Sequence, residues 1–77
     1  MKALVETVAR GLVDEPDRVR VTERRDGDLV RLELHVAPPD RGRVIGRQGK
    51  TAEAFRALLA VVAKRHGLRC DLTVADR

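Results

Sequence analysis

Val44-Ile45-Gly46-Arg47-Gln48-Gly49-Lys50-Thr51 is the stretch that decides how this chain is to be read. Two glycines stand three residues apart, between an apolar pair and the basic residue that opens a long helical pattern. Without a Cβ, glycine lets a backbone come close to a sugar-phosphate strand, and the N-terminus of the following helix offers N–H groups and a partial positive charge to it. Arg47 and Lys50 add full charges. A four-residue loop of this kind, set between two helical segments, is suited to holding a polyanion.

The charge distribution around the loop points the same way. The chain has 77 residues and a formal net charge of +4. Between Arg41 and Arg56 lie five bases (Arg41, Arg43, Arg47, Lys50, Arg56) and one acid, Glu53, while the remainder carries eleven of each sign, so the whole excess falls in one stretch. Length and the 43% hydrophobic content predict one domain, 1–77, with a single core. No apolar run approaches the roughly 20 residues of a bilayer span, and charge enters at Lys2 and Glu6, so a soluble, cytoplasmic protein without a membrane partner is expected.

Outward from the loop, the hydrophobic periods predict the remaining elements. Met1, Leu4, Val5, Val8, Leu12 and Val13 recur at steps of three and four, which predicts an amphipathic helix over 1–13, ended by Asp14-Glu15-Pro16-Asp17. From residue 18 the pattern alternates, with Val19 and Val21 inward. Asp26-Gly27 supplies a pair favoured in two-residue hairpin turns. A second strand over 29–37 turns Val30, Leu32, Leu34 and Val36 to the core, until Pro38-Pro39 stops it. After a helical turn at 41–45 and the glycine loop, a helix over 50–66 carries Ala54, Phe55, Leu58, Leu59, Val61 and Val62, with Gly67 placed to cap it. A last strand turns Leu68, Cys70, Leu72 and Val74 inward. The expected fold is α+β in the order α-β-β-α-α-β. Its three-stranded mixed sheet pairs the first two strands antiparallel, brings the third back parallel, and carries the helices on one face.

Chemistry beyond the loop is sparse. One cysteine excludes a disulfide framework, and Cys70, His35 and His66 do not have the clustered spacing of a metal site, so no cofactor and no catalytic activity are expected. Cys70 reads as a small inward hydrophobe, His35 as an outward strand residue and His66 as a helix-end residue. Gly49-Lys50-Thr51 matches the end of the phosphate-binding pattern of NTPases. That pattern's first glycine is replaced by Val44, and the chain leaves no room for the parallel sheet such enzymes need. Arg24-Arg25, beside the hairpin turn, reads as a charged turn or as an extension of a nucleic-acid footprint. With one Phe and no Trp or Tyr, aromatic base stacking has little material, and Phe55 falls in with the core stripe of its helix.

Ile-Gly-x-x-Gly inside a strand-helix-helix-strand unit resembles the KH domain, and the helix-strand extension before that unit resembles its type II arrangement. Pro16-Asp17 followed by Val19-Arg20-Val21, then Leu34-His35-Val36-Ala37-Pro38, then Gly42-Arg43-Val44-Ile45-Gly46-Arg47-Gln48-Gly49-Lys50 resemble the KhpA family of small, stand-alone bacterial KH proteins over nearly the whole chain. The resemblance implies a non-enzymatic binder of single-stranded RNA, an RNA chaperone or post-transcriptional regulator. Such a protein self-associates as a homodimer and pairs with a second KH protein of the KhpB type. It places Gly46, Arg47, Gln48 and Gly49 against the nucleic-acid backbone, Arg43 and Lys50 at nearby phosphates, and Ile45 in the wall of a base-binding groove. Where many KH domains carry Ile three residues after the loop, this chain has Ala52, which implies a shallower groove. Ala57, Ala60 and Val61 leave apolar surface on the long helix for a dimer contact. The alternative is a protein-interaction module whose basic loop is merely solvated.

Overall fold

The computed structural model describes residues 1–75; residues 76 and 77, the end of the expected domain, lie outside the described residues. Helix α1 (Lys2–Leu12) buries Val5 and Ala9 and packs Leu4, Val8 and Leu12 partly against the core. The expected strand at residue 18 begins later. Pro16, with φ held near −65° by its ring, starts a 310 turn over Pro16–Arg18, and strand β1 runs Arg20–Asp26. Val19 and Val21 are both buried nonetheless.

The hairpin to β2 (Leu29–His35) forms with its turn one residue later than the sequence suggests. Asp26 pairs with Leu29, so the two turn residues are Gly27 and Asp28. Of these only Gly27 has positive φ, at 61°. Glycine first and an ordinary residue second is the type II′ pattern, which needs one left-handed residue rather than two.

After β2 the chain passes through a 310 turn at Pro38–Asp40, helix α2 (Arg41–Ile45), a second 310 turn at Arg47–Gly49, helix α3 (Lys50–Arg65) and strand β3 (Arg69–Val74). The Gly67 cap is realised. Leu68 N–H donates to the Ala63 carbonyl at 2.9 Å and Gly67 N–H to that of Lys64 at 3.1 Å, with Gly67 left-handed at φ 69°, which is a Schellman ending.

The sheet order is β1-β2-β3, antiparallel between β1 and β2 and parallel between β2 and β3, as expected for an α-β-β-α-α-β chain. Val21 lies opposite Leu34 and Leu32 opposite Leu72, so alternate residues of all three strands face the helices. Val5 and Ala9 of α1 and Phe55 and Leu59 of α3 close over them. The other sheet face, with Arg24, Arg31, Glu33, Asp71 and Thr73, is exposed.

The buried stripe of α3 is narrower than the sequence suggests. Ala52, Phe55, Leu59 and Ala63 are buried, Val62 is half-buried, and Ala54 and Leu58 of the expected apolar arc are exposed, Leu58 by 45%, as is Val61 by 57%, in line with its other reading as surface for a dimer contact. Two alanines in the contact line let the helix lie close to the sheet. A helix so seated covers one stripe of residues three and four apart and leaves its flanks outside.

Candidate nucleic-acid interface

The connection between α2 and α3 is built from residues that few sequences tolerate. Gly46 sits at φ 77°, ψ 169°, a region open essentially to glycine, and its N–H donates to the Gly42 carbonyl at 2.9 Å, ending α2. A Cβ on Gly46 would lie 2.6 Å from Thr51 Cβ and 2.8 Å from Thr51 N, and nearer still to Thr51 Oγ1. The first turn of α3 therefore seats directly on Gly46, a reason for glycine that comes from inside the molecule. Gly49 differs: its φ is 75°, yet a Cβ there would meet nothing within 4 Å. Between them Gln48 is left-handed at φ 57°, ψ 26°, the one positive-φ residue other than glycine among the described residues. Holding a side-chain-bearing residue there costs about 1–2 kcal/mol. Nothing in the sequence marks Gln48 for it.

This backbone bends tightly enough for Gly49 N–H to donate to the Gly46 carbonyl at 3.1 Å. Arg47, Gln48 and Lys50 are exposed and Ile45 is 39% exposed, so the loop's polar side chains and one aliphatic side chain share the surface at the entrance of α3. The first N–H of α3, that of Lys50, is already taken by the Arg47 carbonyl, so the side chains of the loop are what it presents outward. Val44 is buried within α2, so a helix precedes the loop where an NTPase phosphate loop follows a strand.

The five bases around the loop separate into different tasks. Arg43 Nη2 lies 3.0 Å from Asp14 Oδ2 and its Nε 3.8 Å from Asp40 Oδ1, so this expected phosphate contact faces carboxylates of its own chain. Arg56 Nε donates to the Leu72 carbonyl of β3 at 3.0 Å and so ties α3 to the sheet. Arg47 and Lys50 have no ion pair among the described residues.

Asp40, which no sequence pattern marks, supports the site from below. It is 2% exposed, and its two carboxylate oxygens accept the N–H of Asp14 at 3.2 Å and of Glu15 at 3.1 Å. A carboxylate is stable at such a depth only with its lone pairs satisfied, and the two N–H donors with Arg43 meet that requirement. They pin the end of α1 to the start of α2, five residues ahead of the glycine loop. Partners 25 and 26 residues away in sequence leave no local signal.

The remaining titratable candidates lie elsewhere. Cys70 is half-buried, and burial, followed by the negative charge of Asp71, pushes its thiol up, so the nucleophilic thiolate is disfavoured. His35 Nε2 lies 2.8 Å from Glu33 Oε1, while His66 caps the far end of α3. Among the described residues no three His, Cys, Asp or Glu side chains gather to hold a metal, and no helix is long and apolar enough to cross a membrane.

The family model described as "KhpA/KhpB, KH domain" matches residues 2–74. The chain is 47% identical to the RNA-binding protein KhpA of Halalkalibacterium halodurans, covering 99% of this chain and all of that protein. It is 41% identical to the protein of the same name from Aquifex aeolicus, over 99% of this chain and 96% of that one. It is 47% identical to that of Mycobacterium tuberculosis, over 95% and 90%. No solved structure matches the chain.

Proposed function

Because the chain belongs to the KhpA/KhpB family of KH domains, we propose that it is a non-enzymatic RNA-binding protein whose 46–49 loop grips the backbone of single-stranded RNA. One observation carries the reading. The loop presents Arg47 and Lys50, without carboxylate partners among the described residues, on a backbone held in one shape by Gly46, Gln48 and Gly49. A preformed loop does not have to be ordered when the strand arrives, and guanidinium and ammonium groups replace the counterions a phosphate otherwise keeps. Gln48 adds hydrogen bonds without charge. Ile45 offers an apolar edge for a base, and Ala52, buried at the foot of α3, adds little to that edge, which favours weak base discrimination. Arg43 supports the loop through Asp14 and Asp40 and reaches phosphate only by leaving them. The domain as a whole, 1–77, acts as an RNA chaperone or post-transcriptional regulator in the cytoplasm.

Titration of a mixed single-stranded RNA pool at two salt concentrations tests this. The native chain is expected to lose affinity steeply with salt, and the Arg47→Asp/Gln48→Asp variant to bind at least about tenfold more weakly at low salt. Equal affinity in the two proteins overturns the reading.

A specific observation also favours self-association. Ala57, Leu58, Ala60 and Val61 form an exposed, small and aliphatic strip on α3, beside an apolar hollow of about 220 Å³ lined by Val8, Leu12, Ala54, Phe55 and Leu58. Such a strip suits a homodimer or a heteromer with a KhpB-type protein, and two loops on one particle raise avidity for RNA. Sedimentation of the native chain and of Val61→Asp checks it, with dimer expected for the first and monomer for the second.

A further inference from the structure

The outer edge of the sheet lies beside α3 and meets one arginine whose placement a grip on the RNA backbone does not explain. β3 is the last strand in the order β1-β2-β3, so no strand covers its far side among the described residues. Arg69 N–H donates to the Asp28 carbonyl and Ala75 N–H to that of Leu34, each at 2.8 Å, which turns the odd-numbered residues of β3 toward β2. The even-numbered ones, Leu72 among them, turn their N–H and C=O to the open edge. There Arg56 Nε donates to the Leu72 carbonyl at 3.0 Å. On the opposite flank of α3, Thr51, Phe55 and Leu58 meet Val8 and Leu12 of α1 around the apolar hollow.

Arg56 stands about 9 Å along α3 from Lys50, within the length of the roughly four nucleotides that a KH loop clamps. Held through Nε, its guanidinium keeps one plane, and both Nη groups are without a partner among the described residues. Glu53, one turn earlier, makes no ion pair with it. The consequence is chemical. The Leu72 carbonyl, the acceptor that an amino group of adenine or cytosine would need there, is occupied. What faces a base at that point is the Leu72 N–H and a flat pair of Nη donors. Guanine offers O6 and N7 as adjacent acceptors to such a fork, whereas adenine sets its amino donor beside N7 and cytosine presents an amino donor of its own. A donor set against a donor stays unpaired, and that penalty separates bases more sharply than the apolar contact with Ile45.

We infer that Arg56 is a specificity-determining residue, which closes the Leu72 carbonyl to amino-bearing bases and selects guanine in the RNA strand held at the glycine loop. The inference rests on the RNA-binding reading above and adds a base preference to it. Charge at the loop then supplies affinity, and the guarded strand edge supplies choice.

Binding of two labelled twelve-nucleotide RNAs to the full chain tests it, both of uridine except for two central residues, guanosine in one and adenosine in the other. The native chain is expected to bind the guanosine RNA about tenfold more tightly. Replacing guanosine by 7-deazaguanosine, which lacks the N7 acceptor, should remove most of that preference. Arg56→Lys keeps the charge without the fork, and its ratio of guanosine to adenosine affinity should fall to about twofold. Arg56→Met also frees the Leu72 carbonyl and should bring the ratio to unity or below. Each ratio compares two RNAs on one protein, so a loss of folded protein cancels from it. Equal affinities on the native chain, or a preference that survives both variants or the 7-deaza change, overturn the assignment. If the native chain binds both RNAs equally and Arg47→Asp/Gln48→Asp weakens both, the loop reading stands and the role of Arg56 falls. If the native chain binds neither RNA, both readings fall.

Discussion

The two ends of α3 face the same structural problem and solve it differently. Each has a tight connection with a left-handed glycine and an Asp–Arg contact beside it. At the hairpin end Gly27 is open on all sides, and the Asp28–Arg69 pair is a surface contact. At the loop end Gly46 has Thr51 packed against the space a Cβ would need, and Asp40 is buried under Arg43 with two backbone donors. The hairpin is therefore shaped by local backbone preference. The loop is shaped by what is packed behind it, and a binding backbone held from behind keeps its geometry when its outward side chains change.

That contrast can be broken at the glycines first. Gly46→Ala combines a forbidden backbone region with an overlap on Thr51, and is expected to cost about 4 kcal/mol, enough to unfold much of a domain this small. Gly27→Ala meets only the left-handed penalty and should cost about 1 kcal/mol. Urea denaturation of the two variants measures the difference, and similar costs would show that Thr51 yields readily.

The carboxylates give the next largest effect. Asp40→Ala leaves the N–H groups of Asp14 and Glu15 without acceptors and should destabilise by about 3 kcal/mol. Chemical denaturation measures the loss, and hydrogen exchange at those two amides should rise. A loss no larger than that of a surface residue would remove the claim that the loop is braced from within.

The smallest effect belongs to the exposed pair. The side-chain hydrogen bond from Arg69, then its charge, holds the Asp28 carboxyl below its ordinary range. A depressed carboxylate contributes stability that is fully present above the unfolded-state value, about 3.9, and is lost as pH falls through the folded-state value. Asp28→Asn should therefore lower the melting temperature slightly at pH 6, and the gap to the native chain should close as pH falls below about 4. A gap that stays constant with pH would assign the effect to the turn rather than to charge.

Much of this arrangement is legible along the chain. Alternation at Val30, Leu32, Leu34 and Val36, and the three-and-four spacing from Leu4 to Leu12, report the elements because strand and helix place their side chains at different periods. The loop glycines stand out by spacing alone. Other features could not be read. The start of β1 moved because Pro16 favours a helical turn, and the hairpin turn slid by one residue because the type II′ form needs glycine only first. The α3 stripe was misjudged because Ala, Val and Leu surround much of the helix, so apolarity does not say which side meets the sheet.

From its residues alone the chain determined an α-β-β-α-α-β order, one basic glycine loop and the lack of clustered metal-ligand or disulfide chemistry, since these rest on local period, charge and composition. Tertiary structure decided that Asp40 braces the loop, that Thr51 makes Gly46 obligatory, that Arg43 pairs with Asp14 and Asp40 while Arg47 has no ion pair among the described residues, and that Arg24 and Arg31 stand side by side. Those outcomes depend on groups far apart in sequence that meet only when the sheet pairs and the helices close over it, and no local pattern encodes such meetings.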